Sequence, residues 1–365
     1  MSFIAQHLKG MNRRTVYQLL LAKGELSKAE ISRQTGISAP TVIKIIDYFI
    51  ETGFVEETGE GEALLGRKPQ MLSFNSRAGY AIGVEFSGVE LKAGIVDFAG
   101  NICHIQKTPV VPDFKTVIGG ELFVKIEDLI NGSGIPRDKI KGLCVGVPAA
   151  VNSKQKTIDL APLVGITELT NYGDIVDELS DRLKMPVFVE NDANAAAMGE
   201  FINRGLGLTD DLLFIILGKG IGSGIILNGM LRQGNNFSAG EIGYMVFDTD
   251  FVVSKRRSGW LEQQLGLDDL RNGKVDVSSE ALDIIAGNLA LAILNICVPF
   301  EIAHVVFGRL RDDKFDAMLV ERINKHLRSL SVMDLECQLP RCKEPGIVGC
   351  ANIVIEPVLD RILKE

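Results

Sequence analysis

The chain has 365 residues, more than a single hydrophobic core usually supports, so two or three domains are expected. A net charge of −8 excludes a protein that coats nucleic acid over its whole surface. No unbroken apolar run reaches the roughly 18 residues of a membrane span, and the start, MSFIAQHLKGMNRR, holds no apolar stretch suited to a signal peptide; a cytoplasmic protein with no membrane partner is expected.

The global charge hides an asymmetry. Residues 1–76 carry nine Lys and Arg against eight Asp and Glu, a net +1, so the remainder carries −9 and only this first segment suits a phosphate backbone. Cys103, Cys144, Cys297, Cys337, Cys342 and Cys350 lack C-x-x-C spacing and read as reduced, partly buried thiols. The last three have no nearby His and match no standard finger, so no metal is expected there.

From Asn12 to Gly24, NRRTVYQLLLAKG places Val16, Leu19 and Leu20 at helical spacing and closes on glycine, predicting a first helix. Ser27 and Glu30 then form a capping box, with Leu26 and Ile31 spaced as a hydrophobic staple, and predict a second helix. Gly36 breaks the chain for a tight turn. Ser38 is expected to cap a third helix whose core face is Val42, Ile45, Ile46, Phe49 and Ile50. Its other face begins with Ala39, Thr41 and Lys44, small and polar groups of the kind a recognition helix brings to base edges.

After Gly53, FVEET and QMLSF alternate as two short strands around GEGEALLGRKP, a wing whose Arg67 and Lys68 suit phosphate or minor-groove contact. Lys28, Ser38, Ala39, Thr41, Lys44, Arg67 and Lys68 are the candidate DNA contacts. A three-helix protein-interaction module with a basic loop is the competing reading; the order of capped helix, glycine turn, capped helix and basic hairpin favours DNA. The winged helix-turn-helix is assigned residues 1–76 and the large domain 77–365.

From Gly79 the pattern changes to apolar strands alternating with helices, as in α/β folds. GYAIGVEF and ELKAGIVDF predict a hairpin of long buried strands, followed by a helix near residues 116–132 and a strand KGLCVGV. PVFVE predicts a strand running into a helix that begins at Asp192; DLLFIIL leads into a glycine-rich loop, Gly218–Gly224, and VVFG forms a late strand. In VENDANAAA the strand delivers Asn191 and Asp192 to its carboxyl end, where open α/β sheets bind ligands. Asp192 alone reads equally as a helix N-cap or as an acceptor for a hydroxyl proton.

Taken together, NRRTVYQLLLAKGELSKAEISRQTGIS, GRKPQMLSFN, VENDANAAAMGE, LGKGIGSGIILNGMLRQG and AGEIGYM resemble the ROK family (repressors, open reading frames and kinases), and its regulator branch in particular. The resemblance covers nearly the whole chain. It implies a two-lobed actin-like sugar-kinase fold behind the winged helix, operator DNA and a small sugar or sugar phosphate as partners, and a homodimer or homotetramer. Asn191, Asp192, Glu241, Tyr244 and Glu262 fall at its sugar-site positions, with Asp192 at the kinase base. Three carboxylates and an amide suit a polyol.

The resemblance fails where the kinases handle phosphate. Their opening D-x-G-G-T reads Glu85-Phe86-Ser87-Gly88-Val89 here, and Lys219 stands where the second loop usually carries threonine. Loss of kinase activity is therefore expected, because phosphoryl transfer depends on positioning phosphate and metal. The family's zinc ligands are replaced by Tyr244, Val253, Lys255 and Trp260, so no zinc is expected, and the altered phosphate loops count against ATP as a cofactor. Departures at Pro148-Ala149 and Ala161-Pro162-Leu163 leave the sugar open. A sugar-responsive repressor is the leading expectation; an ATP-dependent sugar kinase with an added DNA-binding domain and a sugar-blind regulator answering to a protein partner are the alternatives.

Overall fold

A computed structural model describes residues 3–61, 68–159, 161–218, 220–252, 259–274, 280–331 and 333–364. The head comprises α1 (Phe3–Lys23), β1 (Leu26–Ser27), α2 (Lys28–Thr35), α3 (Ala39–Glu51), β2 (Val55–Glu60) and β3 (Gln70–Phe74), with the strands in antiparallel order β1-β3-β2. The α1 helix begins well before the expected Asn12. Its early residues gain a partner that local periodicity does not reveal, since Gly10 lies against the backbone of Leu363 at the far end of the chain.

The capping box forms as expected: the Ser27 N–H donates to Glu30 Oε2 at 2.9 Å and the Glu30 N–H to Ser27 Oγ at 3.3 Å. Ser38 occupies the N-cap of α3 but makes no side-chain cap; its hydroxyl pairs instead with Thr41 Oγ1 at 2.8 Å. Val42, Ile45, Ile46 and Phe49 form the buried face of α3, whereas Ile50 stays 37% exposed, because it lies with Ile43 on the flank of that face rather than at its centre. Gly36, at φ 71°, closes α2 in the left-handed conformation that glycine adopts without strain.

The first lobe is built on β4 (Tyr80–Phe86), β5 (Glu90–Asp97) and β6 (Ile102–Pro109), an antiparallel meander. It continues through α4 (Phe114–Thr116), a π-helical turn (Val117–Glu121), α5 (Leu122–Ser133) and β7 (Ile140–Val147), which pairs parallel with β4. A small sheet of β8 (Ala150–Asn152), β9 (Thr157–Asp159) and β10 (Thr170–Asn171) precedes α6 (Gly173–Leu183). Then β11 (Val187–Asn191) completes the order β11-β7-β4-β5-β6 and leads directly into α7 (Asp192–Asn203).

The second lobe holds β12 (Leu212–Leu217), β13 (Ile221–Leu227), β14 (Met230–Leu231), α8 (Trp260–Leu265), α9 (Leu267–Arg271), α10 (Glu280–Phe300), β15 (His304–Phe307), α11 (Asp313–Leu330) and β16 (Cys337–Gln338). Its sheet runs β14-β13-β12-β15-β16. The expected glycine loop is shorter than its glycines suggested: β12 ends at Leu217 and β13 already begins at Ile221, so Gly222 and Gly224 belong to a strand, opposite Ile216 and Phe214. Gly224 serves packing here, because a Cβ would strike Ala193 and Ala197 of α7. The α10 helix, with mean hydropathy 2.0 over 18 residues, is by length and composition apolar enough to cross a membrane; its Leu282, Ile285, Leu289 and Ile293 are buried in the core of this lobe.

The chain closes with α12 (Pro345–Lys364), which crosses α7 at close range: side chains at Gly199 or Gly349 would collide with the backbone of Pro345 or Ala195. The chain entering α12 is clamped by Glu200 of α7. Its buried carboxylate accepts from the N–H groups of Arg341 (2.8 Å) and Cys342 (2.9 Å) and pairs with Arg204 (2.7 Å). At its other end α12 holds the head. The Ile362 carbonyl, an orphan acceptor of the last turn, receives Arg13 Nη1 and Tyr48 Oη, both at 3.1 Å, and Arg13 lies 3.6 Å over the Tyr48 ring. Arg14 pairs with Glu356 and Asp360.

Candidate functional site

The site grows from the junction of β11 and α7. The N-cap of α7 is Asn191, whose Oδ1 accepts from the Asn194 N–H at 2.9 Å, so Asp192 occupies the first helical position and the N-cap reading of Asp192 is corrected. Asn191 Nδ2 donates to the Ala149 carbonyl at 2.9 Å, so one amide hydrogen of this side chain remains for another acceptor. Asp192 is half-buried. Burial, reinforced by the charges of Glu85 and Glu241, raises its carboxyl pKa to about 7.

Glu241 comes from the opposite lobe, immediately before the 3-10 turn Ile242–Tyr244. Gly259 crosses so tightly over Gly243 and Tyr244 that a side chain would not fit, which brings the start of α8 and Glu262 beside that turn. The Glu262 carboxylate approaches Gly220, between β12 and β13. Desolvation raises the pKa of Glu241, with the Glu262 charge adding to it, and desolvation likewise raises that of Glu262. Asp192, Glu241 and Glu262 thus form one acidic group drawn from both lobes. Tyr244 lies on the same turn, 56% exposed.

One member of the network was not picked out from the sequence. Glu190, 6% exposed, accepts the Asn191 N–H (2.9 Å) and Asn194 Nδ2 (3.0 Å) at Oε1, and Gln233 Nε2 (2.9 Å) at Oε2. Burial raises its pKa against these three donors. Gln233 follows β14, so this bond ties the two lobes together beneath the acidic group. A charge at the end of a strand usually reads as solvent-facing, and nothing local marks Glu190 as buried.

At the first phosphate position, Glu85 is engaged: Lys92 lies 3.3 Å from it and 2.6 Å from Glu344, and a Cβ at Gly346 would strike Glu85 Oε1. Burial raises the Glu85 pKa, with Lys92 opposing. Val89 is 68% exposed and offers no hydroxyl. At the zinc positions, Trp260 is buried edge-on to Phe247 with ring centroids 5.3 Å apart, and Tyr244 is the one oxygen donor there among the described residues. Lys219, Val253 and Lys255 lie outside the described residues.

In the head, Ala39 and Lys44 are exposed on α3 and Thr41 is half-buried, while Ser38 is exposed and bonded to Thr41. Lys28, at the start of α2, pairs with Asp47 of α3 at 2.7 Å. Lys68 is exposed beside the wing, and Arg67 lies outside the described residues.

A three-stranded winged helix bolted to a two-lobed body, each lobe with its own five-stranded sheet, defines a DNA-binding head on an actin-like sugar-kinase fold. The chain carries a ROK family domain, matched over residues 81–258, behind a winged helix-turn-helix DNA-binding domain matched over residues 12–56. It is similar to the xylose repressor of Bacillus subtilis strain 168, 29% identical over 244 residues, which are 66% of this chain and 62% of that protein. The matched stretch thus spans less than two thirds of that relative's length. Its fold is that of a crystallised ROK family transcriptional regulator described as a homolog of the E. coli MLC protein, with TM-score 0.75, 20% identity and 98% of each chain covered. A ROK family glucokinase from Streptomyces griseus, crystallised with glucose and AMPPNP, matches with TM-score 0.58 and 23% identity over 75% of this chain and 99% of that one.

Proposed function

We propose that the chain is a sugar-responsive transcription repressor of carbohydrate uptake or catabolism genes, acting in the cytoplasm as a homodimer or homotetramer on operator DNA. Residues 1–76 are the DNA-binding unit, and residues 77–365 receive the sugar and assemble the oligomer. Asn191, Asp192, Glu241, Tyr244 and Glu262 are the sugar ligands, with Glu190 positioning the first two. Lys28, Ser38, Ala39, Thr41, Lys44, Arg67 and Lys68 face the DNA.

One observation carries this reading: α12 meets α7, the helix that presents Asp192, at its first turns and grips the head at its last turn through Ile362. Closure of the lobes around a sugar would draw Glu241 and Glu262 toward Asp192 and load the α7–α12 crossing. The head would follow, changing the placement of its recognition helix. Such a switch works only if the sugar binds the two closure states with unequal affinity.

The body acts as a receptor and has lost the kinase reaction. Glu85, at the first phosphate position, shares Lys92 with Glu344 and lies close to Gly346 of α12, which supports a site changed from that of the kinases. Tyr244 and the buried Trp260, at two of the family's zinc positions, are side chains poorly suited to zinc, which supports a body without that metal. Binding of the full chain to its own upstream DNA, measured by mobility shift against xylose, glucose, N-acetylglucosamine and their phosphates, tests the proposal. One sugar is expected to release or tighten the complex. A shift indifferent to the whole panel would remove the inducer role.

A sugar kinase with an added DNA-binding head is the second reading, and one observation favours it: Asp192, at the base position, has a pKa near neutrality. It requires sugar-dependent ATP turnover that vanishes in Asp192→Asn. The repressor reading expects none in either protein.

A further inference from the structure

The exposed face of α3 is unusual in which of its groups remain available. Asp47 is held by Lys28 at 2.7 Å, and the hydroxyls of Ser38 and Thr41 bond each other at 2.8 Å. These pairs take up part of the hydrogen-bonding capacity of that face, leaving one hydroxyl hydrogen of the Ser38–Thr41 pair and the remaining N–H groups of Lys28 for base edges or phosphate. On the same face Ala39 and Pro40 are exposed, and one turn further on Ile43 is 44% exposed. Ile43 stands beside Lys44 and one turn before Asp47, on the flank of the helix between the buried Ile46 and the exposed Asp47. Lys44 is exposed and makes no ion pair among the described residues.

A β-branched residue on the open face of a helix both lowers helix propensity and leaves apolar surface in water, two costs that a polar residue would avoid. The major groove offers one apolar group with sequence information, the C5-methyl of thymine. Resting on the reading of the head as a DNA-binding unit, we infer that Ile43, with Ala39 and Pro40 beside it, recognises thymine through that methyl group. Each half-site then contains at least one thymine whose methyl the protein requires. Lys44 supplies attraction to phosphate and little discrimination.

The test uses the full chain and a duplex selected by it from a random pool. Thymines of each half-site are replaced one at a time by deoxyuridine, which keeps every hydrogen-bonding group and removes only the methyl. Binding is followed by fluorescence anisotropy at fixed salt. At least one replacement per half-site is expected to weaken binding about fourfold, the effect of one buried methyl. Ile43→Ala, a surface change that leaves the core of α3 intact, is expected to weaken binding to the thymine duplex and to erase that fourfold difference. Lys44→Ala should weaken binding to thymine and deoxyuridine duplexes equally. If every deoxyuridine is neutral, or if Ile43→Ala keeps the penalty, the inference falls while DNA binding stands. If the chain selects no duplex at all, DNA binding falls with it.

Discussion

Arg13 is the residue on which attachment of the head should depend most. It is 4% exposed, donates to the Ile362 carbonyl at 3.1 Å and lies 3.6 Å over the Tyr48 ring. Its truncation to alanine removes a charge-assisted hydrogen bond and a desolvated cation–π contact, together about 2–4 kcal/mol. Arg14, its neighbour, makes ion pairs whose side chains are 26% to 48% exposed, and such pairs contribute under about 1 kcal/mol. Native-state hydrogen exchange reads the difference directly. In Arg13→Ala, amides of α1, α2 and α3 and of the last turn of α12 should exchange roughly 30- to 900-fold faster, with strands β4 and β7 unchanged; in Arg14→Ala the head should change by less than about fivefold. Equal effects of the two substitutions, or protection lost evenly across head and lobes, would refute the idea that this one carbonyl fastens the head to α12.

Three further outcomes follow from the same geometry. Gly349→Ala places a methyl against the Ala195 carbonyl where α7 and α12 cross, and should destabilise the protein by about 3 kcal/mol or more; an unchanged thermal midpoint would show that the crossing can open without cost. An acid whose folded pKa lies above its unfolded value lowers stability as it ionises, so stability should fall as pH rises from about 4 to 7, and Asp192→Asn should flatten that fall in urea midpoints; parallel wild-type and variant slopes would contradict the raised pKa of Asp192. Trp260 is the only tryptophan and opens the helix that carries Glu262, so its emission should report an effective sugar, with the response shifted to much higher sugar concentration in Glu262→Gln; a sugar that releases DNA without altering Trp260 emission would place its site elsewhere.

Much of the fold was legible because local and tertiary preferences agree. The capping box at Ser27, the glycine turn at Gly36 and the core stripe of α3 each specify their own geometry, and the strands from Tyr80 to Asp97 are apolar enough to be buried on any packing. Errors arose where a distant element decides. The early residues of α1 are helical beside Leu363, which lies at the far end of the chain. Gly222 and Gly224 looked like loop glycines, although they belong to a strand that α7 presses upon. Ser38 had the composition of a side-chain cap, but Thr41 offered its hydroxyl a nearer partner.

The candidate site divides along the same line. Asn191, Asp192, Glu241 and Glu262 were found through motif resemblance, which marks residues by their neighbours in sequence, and the structure gathers the three carboxylates from two lobes. Glu190 and Gln233 escaped because their importance exists only in space: one ends a strand of the first lobe and the other follows a strand of the second, and neither has meaning until the lobes meet. That meeting has a consequence for any switch built on it. Glu190 already spends both oxygens on Asn191, Asn194 and Gln233, so a lobe movement large enough to break the Gln233 bond leaves a buried carboxylate with one donor fewer and raises its cost. The position of the lobes is therefore held by a discrete hydrogen bond as well as by packing, which favours two distinct closure states over a continuum and gives a sugar a defined equilibrium to shift.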